Sequence, residues 1–402
     1  MVSSNQTNEY ILVTVSGPDG PGITSKLMNI IVQGGATLAD IGQAVTHGLL
    51  SLSILIEATG KKDDYPVIKD LLFEAKKLGL SLNFDFILNN GEAFQTPGIF
   101  NGERFILNCV SSETISAEFM RDVAQTMAAQ QVNIHRIDNI TPGGLRCLEL
   151  TTIVAPDVDL AATKKELLLL SDRHHVDMAF LRDNVFRRNK RLIVFDMDST
   201  LIQTEVIDEL AEAHGVGAEI KSITSQAMNG QMDFDESLQK RVSKLKGLDE
   251  SKMRAILENL PITPGAPEFI KTVKGLGYKV ALISGGFTYF ANALKEKLGL
   301  DYAFANELEI SNGKLTGGIT GTIINANQKA MLLKVLAQQL EINLEQVVAI
   351  GDGANDLPML SAAGLGIAYH AKEIVKQKAG HHFSHGPMTS ILYFLGIPGP
   401  QV

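Results

Sequence analysis

Two passages of the same β-α-β-β-α-β order, a later alternation of strands with helices, and a helical block interrupting that alternation predict an α/β chain of three parts. The expected architecture is two ferredoxin-like units, then a Rossmann-like parallel sheet with a helical cap inserted after its first strand. The expected boundaries are 1–90, 102–182 and 190–402, with the cap at about 205–261.

In the first passage Tyr10 to Val15 is strand-like, and Gly17 to Ile23 is a turn leading into a helix over Thr24 to Gln33. Strands at Ala36 to Thr46 and Leu49 to Glu57 flank His47-Gly48, and a helix (Tyr65 to Lys77) and a strand (Ser81 to Ile87) follow. Asn89 to Asn101, rich in Gly, Asn and Pro, separates this from the second passage. There the strands are Phe105 to Val110, Asn133 to Ile140, Arg146 to Val154 and Val176 to Leu181, with a turn at Pro142-Gly143-Gly144. The helices are Ala117 to Gln130 and Leu160 to Ser171. Arg182 to Arg191 carries five positive residues and reads as a solvated linker.

After the apolar run Leu192 to Val194, the strand pattern stops between Glu205 and Pro261. Four helical stretches replace it: Val206 to His214, Ala218 to Met228, Phe234 to Lys244 and Ser251 to Asn259. Asp233 with Glu236 makes a helix-start pair. The sheet resumes with a helix opened by Thr263-Pro264 and a strand at Tyr278 to Ile283. A hairpin turns at Asn312-Gly313 and continues through Gly317-Gly318. Asn327 is expected to cap a helix over Gln328 to Leu340, and Gln346 to Ile350 and Leu365 to Ala368 are the last strands.

Composition narrows the function. The chain has 402 residues, 45% of them hydrophobic, with a net charge of −9, a balance that argues against nucleic-acid binding. Cys109 and Cys147 sit in strand-like contexts and read as buried free thiols rather than a disulfide framework. Met1 to Asn8 lacks a basic-then-apolar signal pattern, and no apolar run reaches the roughly 18–20 residues that span a membrane. A cytoplasmic protein is expected.

Polar residues gather at three strand ends: Asp196 and Asp198, Ser284-Gly285-Gly286, and Asp352 to Asp356. In a parallel sheet such ends converge on one crevice. Two carboxylates two positions apart can divide labour, one attacking phosphorus and the other carrying a proton. A divalent cation between them would offset their repulsion and neutralise a phosphate. Lys329, near a helix start, adds positive charge.

This set, in this order over Leu192 to about Leu395, resembles the haloacid dehalogenase superfamily. The cap stretch Ala227 to Leu238 with Arg241-Val242, and Ser284-Gly285-Gly286-Phe287, narrow the resemblance to its phosphoserine phosphatases. The N-terminal passages resemble paired ACT domains, small amino-acid-sensing modules. The resemblance implies that Asp196 is a nucleophile forming an aspartyl-phosphate and that Asp198 is the general acid and base. Family ATPases usually carry Thr at the second position, so Asp198 points to a phosphatase. It further implies Mg²⁺ on the Asp196 carboxylate, the Asp198 backbone carbonyl and Asp352. Ser284 and the Gly285 amide would hold phosphoryl oxygens, with Lys329 neutralising charge. Asn355 would position phosphate or metal waters, and Asp356 would support the metal ligands or Lys329. For an amino-acid phosphate, Glu205 would meet the ammonium and Arg241 the carboxylate, beneath Met228 and Phe234. The implied reaction is O-phospho-L-serine to L-serine and phosphate, the last step of L-serine biosynthesis. Phosphohomoserine and phosphothreonine remain alternatives, because a methyl or methylene difference is worth only about 1–3 kcal/mol in a pocket. A catalytically dead amino-acid sensor would predict damage at a motif residue, and Asp196, Asp198, Ser284, Lys329 and Asp352 are intact.

In the first unit, Asp19, Gly20, Gly22 and Ile23 lie where a strand enters a helix, and exposed amides there suit an amino-acid carboxylate. The second unit has Ser111 to Ile115 instead, without the Pro-Gly pair. ACT-like units pair edge to edge, so a homodimer is expected. His381, His382 and His385 lack partner Cys or carboxylates in a metal-ligand pattern, and His174 and His175 end a helix; both groups read as non-ligands.

Overall fold

The computed structural model describes residues 9–58, 66–88, 102–141, 144–228 and 231–397. The Asn89 to Asn101 separator and the Pro142-Gly143 turn lie outside them. The chain forms two bodies, Met1–Ile99 and Phe100–Val402.

The first body holds β1 (Glu9–Pro18), α1 (Ile23–Gln33), β2 (Thr37–Thr46), β3 (Leu49–Ala58), α2 (Pro66–Lys77) and β4 (Ser81–Leu88). Its sheet is antiparallel, in the order β2-β3-β1-β4. Alternation sets the buried face: Ile11, Val13 and Val15 pack against Leu27, Ile31 and Leu71 of the helices. The edge strands are less covered, and Leu38, Ile41, Val45, Phe84 and Phe86 stay exposed.

The second body opens with the same order: β5 (Glu103–Val110), α3 (Ala117–Ala129), β6 (Val132–Asn139), β7 (Cys147–Val154), α4 (Leu160–His174) and β8 (Asp177–Arg182). The sheet order is β6-β7-β5-β8. Here β5, β7 and β8 are buried on both faces, while β6 stays largely exposed. Phe105, Leu107 and Cys109 pack under the helices. Val110, Cys147, Ala179 and Leu181 belong instead to the core of the parallel-sheet part that follows.

That part contains β9 (Leu192–Phe195) and a cap of α5 (Val206–His214), α6 (Gly217–Met228), α7 (Phe234–Lys244) and α8 (Glu250–Glu258). It continues with α9 (Ala266–Gly275), β10 (Lys279–Phe287), α10 (Thr288–Leu298), β11 (Tyr302–Ser311), β12 (Lys314–Thr320) and α11 (Ala326–Gln339). Last come β13 (Val347–Gly351), α12 (Leu357–Ala362), β14 (Leu365–Tyr369), α13 (Glu373–Ala379), β15 (His382–Phe383) and α14 (Ile391–Phe394). The sheet order is β12-β11-β10-β9-β13-β14-β15, parallel except for the β11–β12 hairpin. All four residues of β9 are fully buried between β10 and β13, each side chain contributing about 1.5–3 kcal/mol. An apolar central strand therefore fixes where Asp196 emerges.

Three local expectations change. Asn325, not Asn327, caps α11, its Oδ1 accepting from the Asn327 and Gln328 amides at 3.1 and 3.2 Å. The Arg182–Arg191 stretch is solvated only in part: Arg182, Arg188 and Arg191 are exposed, but Arg187 and Lys190 are not. Arg187 is 3% exposed and donates to both Glu149 oxygens at 3.0 and 3.2 Å, while Lys190 is buried and donates to the Glu345 carbonyl. Burial outweighs composition here because each cation has an acceptor waiting. Finally, His382-Phe383 forms the edge strand β15, with His382 Nε2 2.7 Å from Ser171 Oγ and His381 Nε2 3.1 Å from the Phe180 carbonyl. His174 pairs with Asp122 at 2.9 Å.

Candidate active site

The Asp196 amide donates to the Ile350 carbonyl at 2.9 Å, tying the end of β9 to β13. The chain then turns sharply over Met197–Leu201, closed by Ile202 N–H to the Met197 carbonyl at 3.0 Å. Ser199 takes a φ of 56°, a left-handed conformation uncommon for a residue with a side chain. The turn aims Asp198 back at the sheet, its Oδ1 accepting the Val206 amide at 3.0 Å.

At the end of β10, Ser284 is fully buried and its Oγ accepts the Gly286 amide at 2.8 Å. A Cβ on Gly286 would lie 2.7 Å from Asp198 Oδ2 and 2.5 Å from Met197 Cε, so only glycine permits this approach. Lys329, in the first turn of α11, is 1% exposed. Its Nζ lies 2.8 Å from Asp196 Oδ1 and 2.7 Å from Asp356 Oδ1. Asp356 Oδ2 accepts the Gly353 amide, and Asp352 Oδ1 accepts from Thr200 Oγ1 at 3.1 Å. Asn355 sits beside Gly353 in the same loop.

Four carboxylates thus share a crevice with one buried ammonium. Burial, then the Asp356 charge, pushes Asp196 well up, with Lys329 opposing. Burial and Glu205 bring Asp198 to about 7, and burial and Asp356 bring Asp352 to about 6. Burial disfavours the Lys329 ammonium, but Asp196 and Asp356 outweigh it and raise its pKa. Oxygens of Asp196, Asp352 and Asp356 lie within 4.8 Å of one another. Both Asp356 oxygens are engaged by Lys329 and Gly353, whereas Asp196 Oδ1, buried beside Lys329, lacks a hydrogen bond of good angle. An all-oxygen donor set with excess negative charge suits a hard divalent cation.

The cap supplies the other wall. Glu205 Oε1 accepts from Ser199 Oγ at 2.7 Å. Arg241, partly buried on α7, feels the charges of Asp208, Glu205 and Asp198, and burial lowers its pKa. The Phe234 ring lies over Gly285, 3.1 Å from where a Cβ there would stand. Met228 ends α6, and its side chain lies outside the described residues.

Sequence reasoning missed three contributors. Thr200 holds Asp352. Asn306, at the end of the regular β10–β11 pairing and 1% exposed, donates to the Gly285 carbonyl at 2.8 Å and accepts the Ile324 amide at 2.7 Å. It joins the loop of Ser284 to the loop leading into α11. Asp235 accepts from Asn325 Nδ2 at 3.1 and 3.3 Å, linking cap to α11. The strand-end position of Asn306 was the one available signal.

In the first body, Asp19 is exposed and its amide donates to the Gly48 carbonyl. Gly22, at φ 88°, precedes α1 with no side chain capping it, and Gly20 and Ile23 flank the turn. In the second unit Ser116 Oγ accepts the Phe119 amide at the start of α3, so that helix carries its own cap.

Residues 190–364 match the haloacid dehalogenase-like hydrolase family, and residues 9–85 and 109–181 each match an ACT domain family. The chain is 37% identical over 396 residues to a phosphoserine phosphatase of Mycobacterium tuberculosis, covering 98% of this chain and 94% of that protein. It is 36% identical over 403 residues to a phosphoserine phosphatase of Streptomyces coelicolor, covering 100% and 96%. Among solved structures, a haloacid dehalogenase family hydrolase from Salmonella enterica serovar Typhi superposes with a TM-score of 0.63 at 32% identity, covering 72% of this chain and 98% of that one. A probable phosphoserine phosphatase from Vibrio cholerae, unliganded, gives 0.59 at 38% identity, covering 73% and 86%.

Proposed function

Since the chain belongs to the phosphoserine phosphatase family of haloacid dehalogenase-like hydrolases, we propose that it hydrolyses O-phospho-L-serine to L-serine and phosphate at the Asp196 crevice. The observation that carries this reading is the meeting of Asp196, Asp198, Ser284, Lys329 and Asp352 beneath a cap that presents Arg241.

Asp196 attacks phosphorus, the bond to the serine oxygen breaks, and an aspartyl-phosphate forms. Asp198 gives its proton to the departing oxygen, then takes one from the water that attacks the phosphoenzyme. A pKa of about 7 suits a group that must serve in both states. The Ser284 hydroxyl and Gly285 amide receive phosphoryl oxygens, and Lys329 offsets the charge that builds on them. Asn355 orients the phosphoryl group, and Asp356 holds Lys329 in place. Asp196, Asp352 and the Asp198 backbone carbonyl would hold Mg²⁺, which supplies charge neutralisation when bound. Glu205 takes the substrate ammonium and Arg241 its carboxylate, while Phe234, over Gly285, excludes water.

The uncapped turn at Asp19, Gly20, Gly22 and Ile23 supports L-serine as a regulatory ligand of the first unit, its carboxylate on the α1 amides. The exposed apolar side chains on β2 and β4 support a homodimer built through that unit. Among the described residues no helix is long and apolar enough to cross a membrane, and a biosynthetic phosphatase belongs in the cytoplasm.

Phosphate release from phosphoserine, phosphothreonine, phosphohomoserine and an aryl phosphate, with and without Mg²⁺, tests the reading. Phosphoserine should be the preferred substrate, and Arg241→Ala should weaken it more than the aryl phosphate, which has no α-carboxylate. Equal losses on both would remove Arg241 from substrate recognition. A better rate on another phosphate would overturn the substrate assignment.

A further inference from the structure

Within the second body, α4 and β8 of the ACT-like unit meet α13 and β15 of the catalytic part around a cavity of about 390 Å³. That volume falls in the range of small-molecule sites. Its floor is apolar, with Leu168, Met178 and Phe180, and its polar rim is cationic, with Lys164, Lys165 and Lys376. No acidic residue lines it. Lys376 pairs with Asp172 at 3.1 Å, outside the lining. Lys164 has no carboxylate partner among the described residues; its Nζ lies 3.8 Å from where a Cβ on Gly380 would stand, at the end of α13. Partial burial pulls its pKa down, and the nearby His381 is itself held neutral by burial. A half-buried ammonium facing further cations over an apolar floor is an uncompensated charge that an anion would relieve.

We propose that this cavity binds a small amphiphilic anion, a carboxylate or phosphate group on a short apolar body. The head group sits on Lys164 and Lys376, and the body lies on Leu168, Met178 and Phe180. None of these residues belongs to the Asp196 crevice or to the turn at Asp19. A ligand here touches both the ACT-like unit and the catalytic part, so occupancy stabilises their junction by mass action.

Calorimetric titration of the full chain with hexanoate, hexyl phosphate and hexan-1-ol tests this. One or both anions should bind saturably, one per chain, and the alcohol should not; which anion binds tells a carboxylate from a phosphate ligand. Lys164→Met should weaken binding by about tenfold or more, and Lys164→Arg should retain it. Arg241→Ala should also retain it, which separates this cavity from the phosphate crevice. Turnover without probe should be unchanged in Lys164→Met. Lys164→Gln gives the same reading should the Met variant melt early. Absence of saturable binding by either anion, equal binding of the alcohol, or undiminished affinity in both charge-removing variants would overturn the proposal.

Discussion

Asp196 and Asp198 stand two residues apart, yet their surroundings assign them different work. Asp196 lies against the Lys329 ammonium at 2.8 Å, which orients one oxygen and opposes the upward push that burial and Asp356 exert on its pKa. Asp198 accepts one backbone amide and faces Glu205, whose charge together with burial makes it easily protonated. Asp196→Asn should therefore abolish turnover with the fold intact, and single-turnover trapping should recover no phosphoenzyme; near-normal hydrolysis would sink the covalent mechanism. Asp198→Asn should lower turnover by roughly 10²–10⁴-fold while metal affinity, measured by titration, largely survives. Collapse of metal affinity with normal chemistry at saturating Mg²⁺ would contradict its proton-transfer role. These groups were legible in the sequence because each follows an apolar run at a strand end. Asn306 and Thr200 were not, since a lone Asn or Thr gains meaning only from the partners 20 to 150 residues away that the fold brings to it.

At the scale of elements, α7 and α11 show how the cap is held. Asp235, in the first turn of α7, bonds Asn325, and Asn325 caps the helix that carries Lys329. Phe234 beside it covers Gly285. Removing the Asp235 carboxylate should loosen the cap without touching the reacting groups. A bond of this kind is worth about 1 kcal/mol, so Asp235→Ala should raise KM about fivefold and leave kcat nearly unchanged. A fall in kcat at constant KM would place Asp235 in the chemistry instead. The helical pattern of the cap could be read directly from the sequence, to within a residue at most ends. The cap of α11 could not, because Asn325 and Asn327 offer the same chemistry and only the path of the loop decides between them. β15 was also hidden: two residues give no period, and the strand exists because β14 and β8 are there to receive it.

For the whole molecule, the chain's three sequence units make two bodies. Removing residues 1–99 should leave a folded phosphatase, as judged by a single thermal transition. If serine acts through the first unit, that truncation loses serine inhibition; retained inhibition would locate it at Glu205 and Arg241. Removing residues 1–181 is a different operation, because it strips Val110, Ala179 and Leu181 from the catalytic core and should give aggregated protein. The junction also carries a pH signature. Burial holds His382 at about 4, below its ordinary value near 6.5, so the neutral ring contributes stability present above pH 6.5 and lost as pH falls toward 4. The difference in melting temperature between wild type and His382→Gln should shift in favour of the variant over that interval and stay level above it. The basic stretch Arg182–Arg191 misled in part for the same reason: the burial of Arg187 and Lys190 depends on Glu149 and Glu345, far away in sequence. Shared packing has a further consequence during synthesis. β8 ends at Arg182, but β15 and α14, which cover that sheet, begin about 200 residues later, some 10–40 s of elongation at typical rates. The first unit is complete as it leaves the ribosome, whereas the second must wait, half-clothed, for the last residues of its own chain.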